Sequence, residues 1–201
     1  MLLIHGLVNG SRVNGPGLRS VIYFQGCTLG CRDCWNPGSH SFVGDERNVE
    51  ETAELVISAH RERGLEGVTF SGGEPMQQAD ALLALIDALR DRLPRLSFGM
   101  YSGYSEPELS NALYWCGREL TEPAKRDIWL RIRSHLDFAV LGRFAAGRRG
   151  TLALRTSTNQ KLALFSGRYL EQDFEAQEVE VHIGAQGVVH VTGFPTAGMP
   201  A

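Results

Sequence analysis

The chain has 201 residues, 43% of them hydrophobic, with 20 Lys and Arg against 23 Asp and Glu for a net charge of −3. This length supports one domain, or one domain with a small appendage, and the slight acidity argues against general nucleic-acid binding, which needs surplus cations on one face. No apolar run is long enough to span a bilayer, and Met1–Gly6 lacks the charged start and long apolar centre of a signal peptide, so the expectation is a cytoplasmic protein with no membrane partner.

Val21–Gln25 is rich in β-branched and aromatic residues and bounded by turn signals, so it reads as a buried strand. It runs straight into Gly26–Pro37, which carries Cys27, Cys31 and Cys34 at C-x3-C-x2-C spacing. The cysteine loop therefore sits at a strand's C-terminal end, the edge where α/β folds bind ligands. Asn48 as cap, Val49, Ala53, Val56, Ile57 and His60 at helical spacing, and a closing Gly64 predict a helix. Val68–Phe70 is the next strand, followed at once by Gly72-Gly73-Glu74-Pro75. Leu82, Leu83, Leu85, Ile86 and Leu89 line a second helix, and Leu96–Tyr101 makes a third strand. Residues 106–114 and 123–135 read as helices, the latter with Pro123 near its start, and Phe138–Leu141 reads as a fourth strand. Alternating strands and helices imply right-handed crossovers and a parallel sheet. Four or five such units are too few to close an eight-stranded barrel, so the expected fold is α/β, an open partial (β/α) barrel with parallel strands. Gly142–Gly150, rich in Gly and Arg, reads as a mobile loop. Val179–Ile183 and Val188–Thr192 alternate across Gly184-Ala185-Gln186-Gly187 and predict a small C-terminal hairpin. The boundaries drawn are 1–170 for the partial-barrel domain, with cluster loop 26–37, and 171–201 for the hairpin extension and tail.

Four cysteines, three clustered and one apart, do not make a disulfide framework and point to a reducing interior. Three thiolates on one loop ask for a soft metal centre. A structural zinc would need a fourth ligand, which the fold would have to supply from His40 or Cys116. A four-iron cluster held by three cysteines instead leaves one iron open for chemistry. Gly72–Pro75 offers exposed backbone and a carboxylate that can hold the aminoacyl end of a ligand; as a plain turn it would place Glu74 as a helix cap. Trp35 can shield a metal centre or serve as ordinary core, and Cys116 reads as a small buried hydrophobe.

The cysteine triplet together with Thr69–Pro75 resembles the radical S-adenosylmethionine superfamily, and within it the activases of glycyl-radical enzymes, above all the activating protein of anaerobic class III ribonucleotide reductase. Asn14–Arg19, Cys34-Trp35-Asn36, Tyr101–Tyr104 and Ser157–Lys161 extend the likeness over roughly residues 12 to 165. The resemblance implies a [4Fe-4S] cluster on Cys27, Cys31 and Cys34, and S-adenosyl-L-methionine held by Gly72, Gly73, Glu74 and Pro75 with Ser102 and Asn159 beside it. It implies no catalytic side chain, because cluster and cofactor carry the chemistry. Reductive cleavage gives a 5′-deoxyadenosyl radical that takes a hydrogen atom from a glycine of a partner enzyme, with a low-potential donor such as flavodoxin or ferredoxin. From sequence, Ser102 is also readable as a plain Ser-Gly turn, and Asn159 as an Asn in a polar turn. Two positions depart from the pattern: Asp33 stands where much of the superfamily has an aromatic, and Asn14 stands where the activases carry Asp. Rival readings are a radical enzyme acting on a peptide or small metabolite, and a non-catalytic zinc or iron-sulfur interaction protein.

Overall fold

A computed structural model describes residues 1–152, 154–174, 179–183 and 189–193. Strand β1 (Leu2–Ser11) returns antiparallel as β2 (Arg19–Phe24). After the cysteine loop come edge strand β3 (Asp45–Arg47), helix α1 (Val49–Arg63), β4 (Gly67–Gly72), α2 (Ala79–Arg92) and β5 (Ser97–Ser102). Then follow the short α3 (Glu106–Ser110), α4 (Glu122–His135) and β6 (Phe138–Leu141). A small pair, β7 (Arg149–Leu152) and β8 (Arg155–Ser157), precedes β9 (Lys161–Leu164), and a separate hairpin joins β10 (Val179–Ile183) to β11 (Val189–Gly193).

The main sheet has the order β3-β1-β2-β4-β5-β6-β9. Strands β2, β4, β5 and β6 are parallel, whereas β1 and β3 on one side and β9 on the other pair antiparallel, so the sheet is mixed and not parallel throughout. The parallel strands advance one place at a time in one direction. Right-handed crossovers then put every helix on one face, and α1 packs on α2 and α2 on α4. The two-residue period of the strands sorts their side chains. Ile22, Phe24, Val68, Phe70, Phe98 and Met100 join the helix-side core, and Phe138 and Val140 join a smaller one with Leu154, Tyr169 and Phe174.

The predicted strands and helices recur within a few residues, and α1 has the Asn48 cap and the left-handed Gly64 that its sequence announces. Three differences have physical causes. Strand β1 lacks a clean alternation because register shifts fall between Ile4 and Gly6 and between Asn9 and Ser11. The helix expected over 106–114 stops at Ser110, since Ala112 takes φ 59° and the chain turns to bury Tyr114 against Tyr104. The Gly- and Arg-rich stretch ends in a 3-10 turn at Ala146–Arg148 and the start of β7. The predicted turn 184–187, Val188 and the tail from 194 lie outside the described residues.

Arg19 fills the floor of the face opposite the helices, fully buried and with no ion pair among the described residues. Its guanidinium donates to Thr69 Oγ1 at 2.8 Å, Pro16 O at 3.0 Å, Val68 O at 2.9 Å and Ser97 O at 3.2 Å, and lies over the Phe138 ring. Thr69 in turn donates to Asn14 O at 2.8 Å. The buried cation thus ties the Asn14–Gly17 turn to β4 and β5. Arg19→Met keeps the stem and removes these bonds, leaving buried acceptors unpaired. It is expected to lower stability by about 3 kcal/mol or more, read as a lower urea midpoint at unchanged slope.

Candidate functional site

The loops after β2, β4, β5 and β6 meet over the C-terminal ends of the parallel strands, as the handedness of winding requires. Backbone bonds fix the first two together. Gly73 N donates to Phe24 O at 2.8 Å and Glu74 N to Gly26 O at 3.0 Å, while Gly26 N reaches Ser39 O and Cys27 N reaches His40 O. A side chain is excluded from both glycines of the turn. Gly72 has φ 95° with Phe24 N at 2.5 Å from any added Cβ, and a Cβ on Gly73 would overlap the Gly26 carbonyl.

Two glutamines complete the clamp. Gln77, fully buried, accepts the Thr28 N–H at 3.0 Å and donates to Thr28 Oγ1 at 2.7 Å and Tyr104 Oη at 3.0 Å. Gln78 donates to Gln25 O at 2.8 Å and Leu3 O at 3.1 Å and accepts Leu3 N–H at 2.8 Å. Asn36 closes the loop's far end, its N–H on Cys34 Sγ and its amide on Gly72 O, each at 3.5 Å.

Cys27, Cys31 and Cys34 line one cavity with Gly72, Gly73, Glu74, Ser102 and Gly103. All three are free thiols and half-buried. Burial pushes the Cys27 thiol up to about 11 and raises Cys34 as well, so metal loading must displace protons. No three His, Cys, Asp or Glu side chains among the described residues are placed to hold a single metal ion. His40 lines the cavity without joining such a set, and Cys116 is buried in the helix-side core. A zinc knuckle needs its ligands on one point, whereas a four-iron cluster takes each thiolate on a different iron, so its ligands ring a cavity. The donor set fits the cluster.

Glu74 is fully buried. Its Oε1 accepts Met76 N–H at 2.9 Å and the Ser102 hydroxyl at 2.8 Å, and its Oε2 accepts Gly103 N–H at 2.7 Å. It therefore caps the 3-10 turn Pro75–Gln78 and also presents a carboxylate to the cavity. Burial raises its carboxyl to about 7, against the three donors and the more distant Arg143, which pull it down. Pro75 is buried at the first position of the turn. Asn159 lies apart, exposed and donating to Arg143 O at 2.8 Å; its neighbour Gln160 lines the cavity instead.

Trp35 lines the cavity, meets Phe144 edge-on at 6.0 Å and lies under Arg149 at 5.4 Å, which joins the cysteine loop to the Gly- and Arg-rich stretch. Its Nε1 is inaccessible and has no hydrogen-bond partner among the described residues. Sequence reasoning missed Gln77, Gln78, Tyr23 and Tyr101. The tyrosines had a detectable signal: each is the penultimate residue of a parallel strand and alternates away from the helix-side core.

The family described as 4Fe-4S single cluster domain matches residues 13–163. Among curated proteins, the pyruvate formate-lyase-activating enzyme of Clostridium pasteurianum is 35% identical over 92 residues, 44% of this chain and 39% of that enzyme. The anaerobic ribonucleoside-triphosphate reductase-activating protein of Vibrio cholerae is 29% identical over 104 residues, 50% of this chain and 67% of that protein. The match to the first relative thus spans well under half of its length. Among solved structures, QueE from Escherichia coli aligns at TM-score 0.40 and 20% identity, covering 51% of this chain and 52% of that one.

Gly73→Ala is expected to push the Gly26 carbonyl aside and break the Glu74–Gly26 bond. Anaerobic iron and sulfide reconstitution should then give a protein of native circular dichroism that retains several-fold less iron after desalting.

Proposed function

Because the chain belongs to the 4Fe-4S single cluster domain family, we propose that Cys27, Cys31 and Cys34 hold a four-iron cluster and that the protein is a radical S-adenosylmethionine activase. The observation that carries this reading is the placing of three thiols and the Glu74, Ser102 and Gly103 group on one cavity by successive strand ends. When bound, the cluster supplies the electron that cleaves the sulfonium of S-adenosylmethionine to methionine and a 5′-deoxyadenosyl radical. The relatives are named as activators of pyruvate formate-lyase and of anaerobic ribonucleoside-triphosphate reductase. We take the substrate to be a glycine of an enzyme of that kind, the electron coming from a reduced flavodoxin- or ferredoxin-like donor, which is oxidised in turn.

In this reading the chain's own groups bind and orient. Glu74 accepts from the amino group of the cofactor, and the Ser102 hydroxyl, which also accepts Tyr104 N–H at 3.1 Å, holds the carboxylate in place. Leu29, Trp35 and Phe144 keep water from the cavity wall. The one-way winding of β2, β4, β5 and β6 is read as an open partial barrel, whose uncovered face admits a polypeptide. No helix among the described residues is long and apolar enough to cross a membrane, and free thiols suit a reducing cytoplasm.

Reconstituted wild-type protein with dithionite and S-adenosylmethionine is expected to release 5′-deoxyadenosine, and Cys27→Ala, Cys31→Ala and Cys34→Ala to release none above background. Release by any of the three variants overturns the assignment. A pH dependence should accompany binding. With the Glu74 carboxyl raised to about 7, a donor amino group beside it favours the ionised form, so binding expels a proton at and below that pH. Affinity for S-adenosylmethionine should rise between about pH 6 and pH 8, and the rise should be smaller in Glu74→Gln, by anaerobic titration calorimetry.

A further inference from the structure

Among the described residues, the hairpin of β10 and β11 makes no hydrogen bond to the cysteine loop or Glu74, yet Val191, Thr192 and Gly193 form part of the cavity wall. Its register pairs Val181 with Val191, Ile183 with Val189, and Glu180 with Thr192, which sorts the side chains onto two faces. Glu180 and Thr192 turn inward. Glu180 accepts the Arg12 N–H at 2.9 and 3.1 Å, and Thr192, 2% exposed, meets the Ser11 hydroxyl at 3.4 Å. Ser11 Oγ in turn accepts from the Asn14 amide at 2.9 Å, so this anchoring continues into the cavity wall.

The β-branched face points outward. Val181 is 57% exposed, Ile183 73%, Val189 55% and Val191 44%. A two-stranded hairpin gains nothing by presenting two adjacent aliphatic pairs to water, and a contiguous apolar patch of this kind marks an interaction site. Val191 is both a member of the ridge and a lining residue of the cavity, so the two are one continuous surface.

We propose that this ridge docks an extended, apolar, uncharged segment of the protein substrate, whose adjoining residues enter the cavity. The proposal rests on the reading of the substrate as a protein. A small ligand held beside the thiols and Glu74 fills the cavity and leaves the ridge wet; only a chain long enough to leave the cavity at Val191 and continue past the next pair, about 7 Å further on, covers both. The ridge pairs carry no charge, which sets the character of the segment. At the cavity end the lining residues Asn14, Tyr23, Tyr101 and Gln160 carry no formal charge, in keeping with an uncharged segment.

The test uses the full chain, reconstituted, with purified anaerobic ribonucleoside-triphosphate reductase from the same cells as probe. The variant Val181→Thr/Ile183→Thr/Val189→Thr keeps β-branched residues and leaves Val191 in place. It is expected to release 5′-deoxyadenosine without partner as the wild type does, while its Kd for the reductase rises ~10-fold or more and glycyl-radical yield at sub-saturating reductase falls in step. Hydrogen exchange of β10 and β11 in the wild type should slow when reductase is added, a readout that needs no variant. Equal affinity and radical yield in wild type and variant, or no slowing in a wild type that binds, overturns the ridge and leaves the activase reading standing. A wild type that releases 5′-deoxyadenosine but neither binds nor radicalises the reductase overturns the proposal together with the choice of partner. A wild-type dimer dissolved by the variant assigns the face to a second copy, and slowed exchange in the free chain that is lost on removing residues 194–201 assigns it to the chain's own end. Either result overturns the proposal.

Discussion

The contact on which the site depends is the approach of two backbones, where Glu74 N–H meets the Gly26 carbonyl at 3.0 Å and Gly73 N–H meets Phe24 O at 2.8 Å. These bonds continue the parallel pairing of β2 and β4 one turn beyond the sheet, after the strands have ended. They make the start of the cysteine loop an extension of the sheet, with a sheet's precision. The approach is possible because positions 72 and 73 carry no side chain. Burial raises the Cys27 and Cys34 thiols, so loading a metal group on this loop displaces protons.

Around this contact three polar side chains find partners on separate segments. Gln77 joins the cysteine loop to Tyr104, Gln78 joins the following turn to β1 and β2, and Glu74 gathers Met76, Ser102 and Gly103. Each spans two or three chain segments distant in sequence, so each removes relative motion that apolar packing alone would permit. Arg19 does the same on the floor below, joining the first turn to β4 and β5 through carbonyls. The result is a cavity whose wall comes from several separate segments tied to one another by hydrogen bonds.

The hairpin follows the opposite logic. Glu180 and Thr192 reach inward to Arg12 and Ser11, while Val181, Ile183, Val189 and Val191 face water. Helices α1, α2 and α4 bury their apolar stripes against the sheet as amphipathic elements ordinarily do. The contrast within one chain shows that the hairpin's outward face is an element-level choice, set by which residues bond to β1, and not a general looseness of patterning.

Much of this was legible in the chain. The period of the apolar residues determined α1, α2, β4, β5 and β6, because a two-residue or a 3.6-residue repeat is a local property. The spacing of Cys27, Cys31 and Cys34 and the run Gly72–Pro75 marked the candidate site, because ligand type and backbone freedom belong to residue identity. Tertiary structure alone decided what those residues meet. Strands β1 and β9 escaped the sequence because register shifts in β1 and the shortness of the edge strand β9 leave weak alternation. Gln77 and Gln78 carry no local mark of their role, since an amide's partners are chosen by the fold and not by its neighbours. Asn159 has the composition of a site residue, but the turn after β8 aims it at Arg143 O and puts Gln160 on the cavity. Whether the hairpin's aliphatic or polar face would be buried was equally undecidable from alternation, which fixes that two faces exist; contact with Ser11 and Arg12, more than 160 residues away in sequence, chose between them.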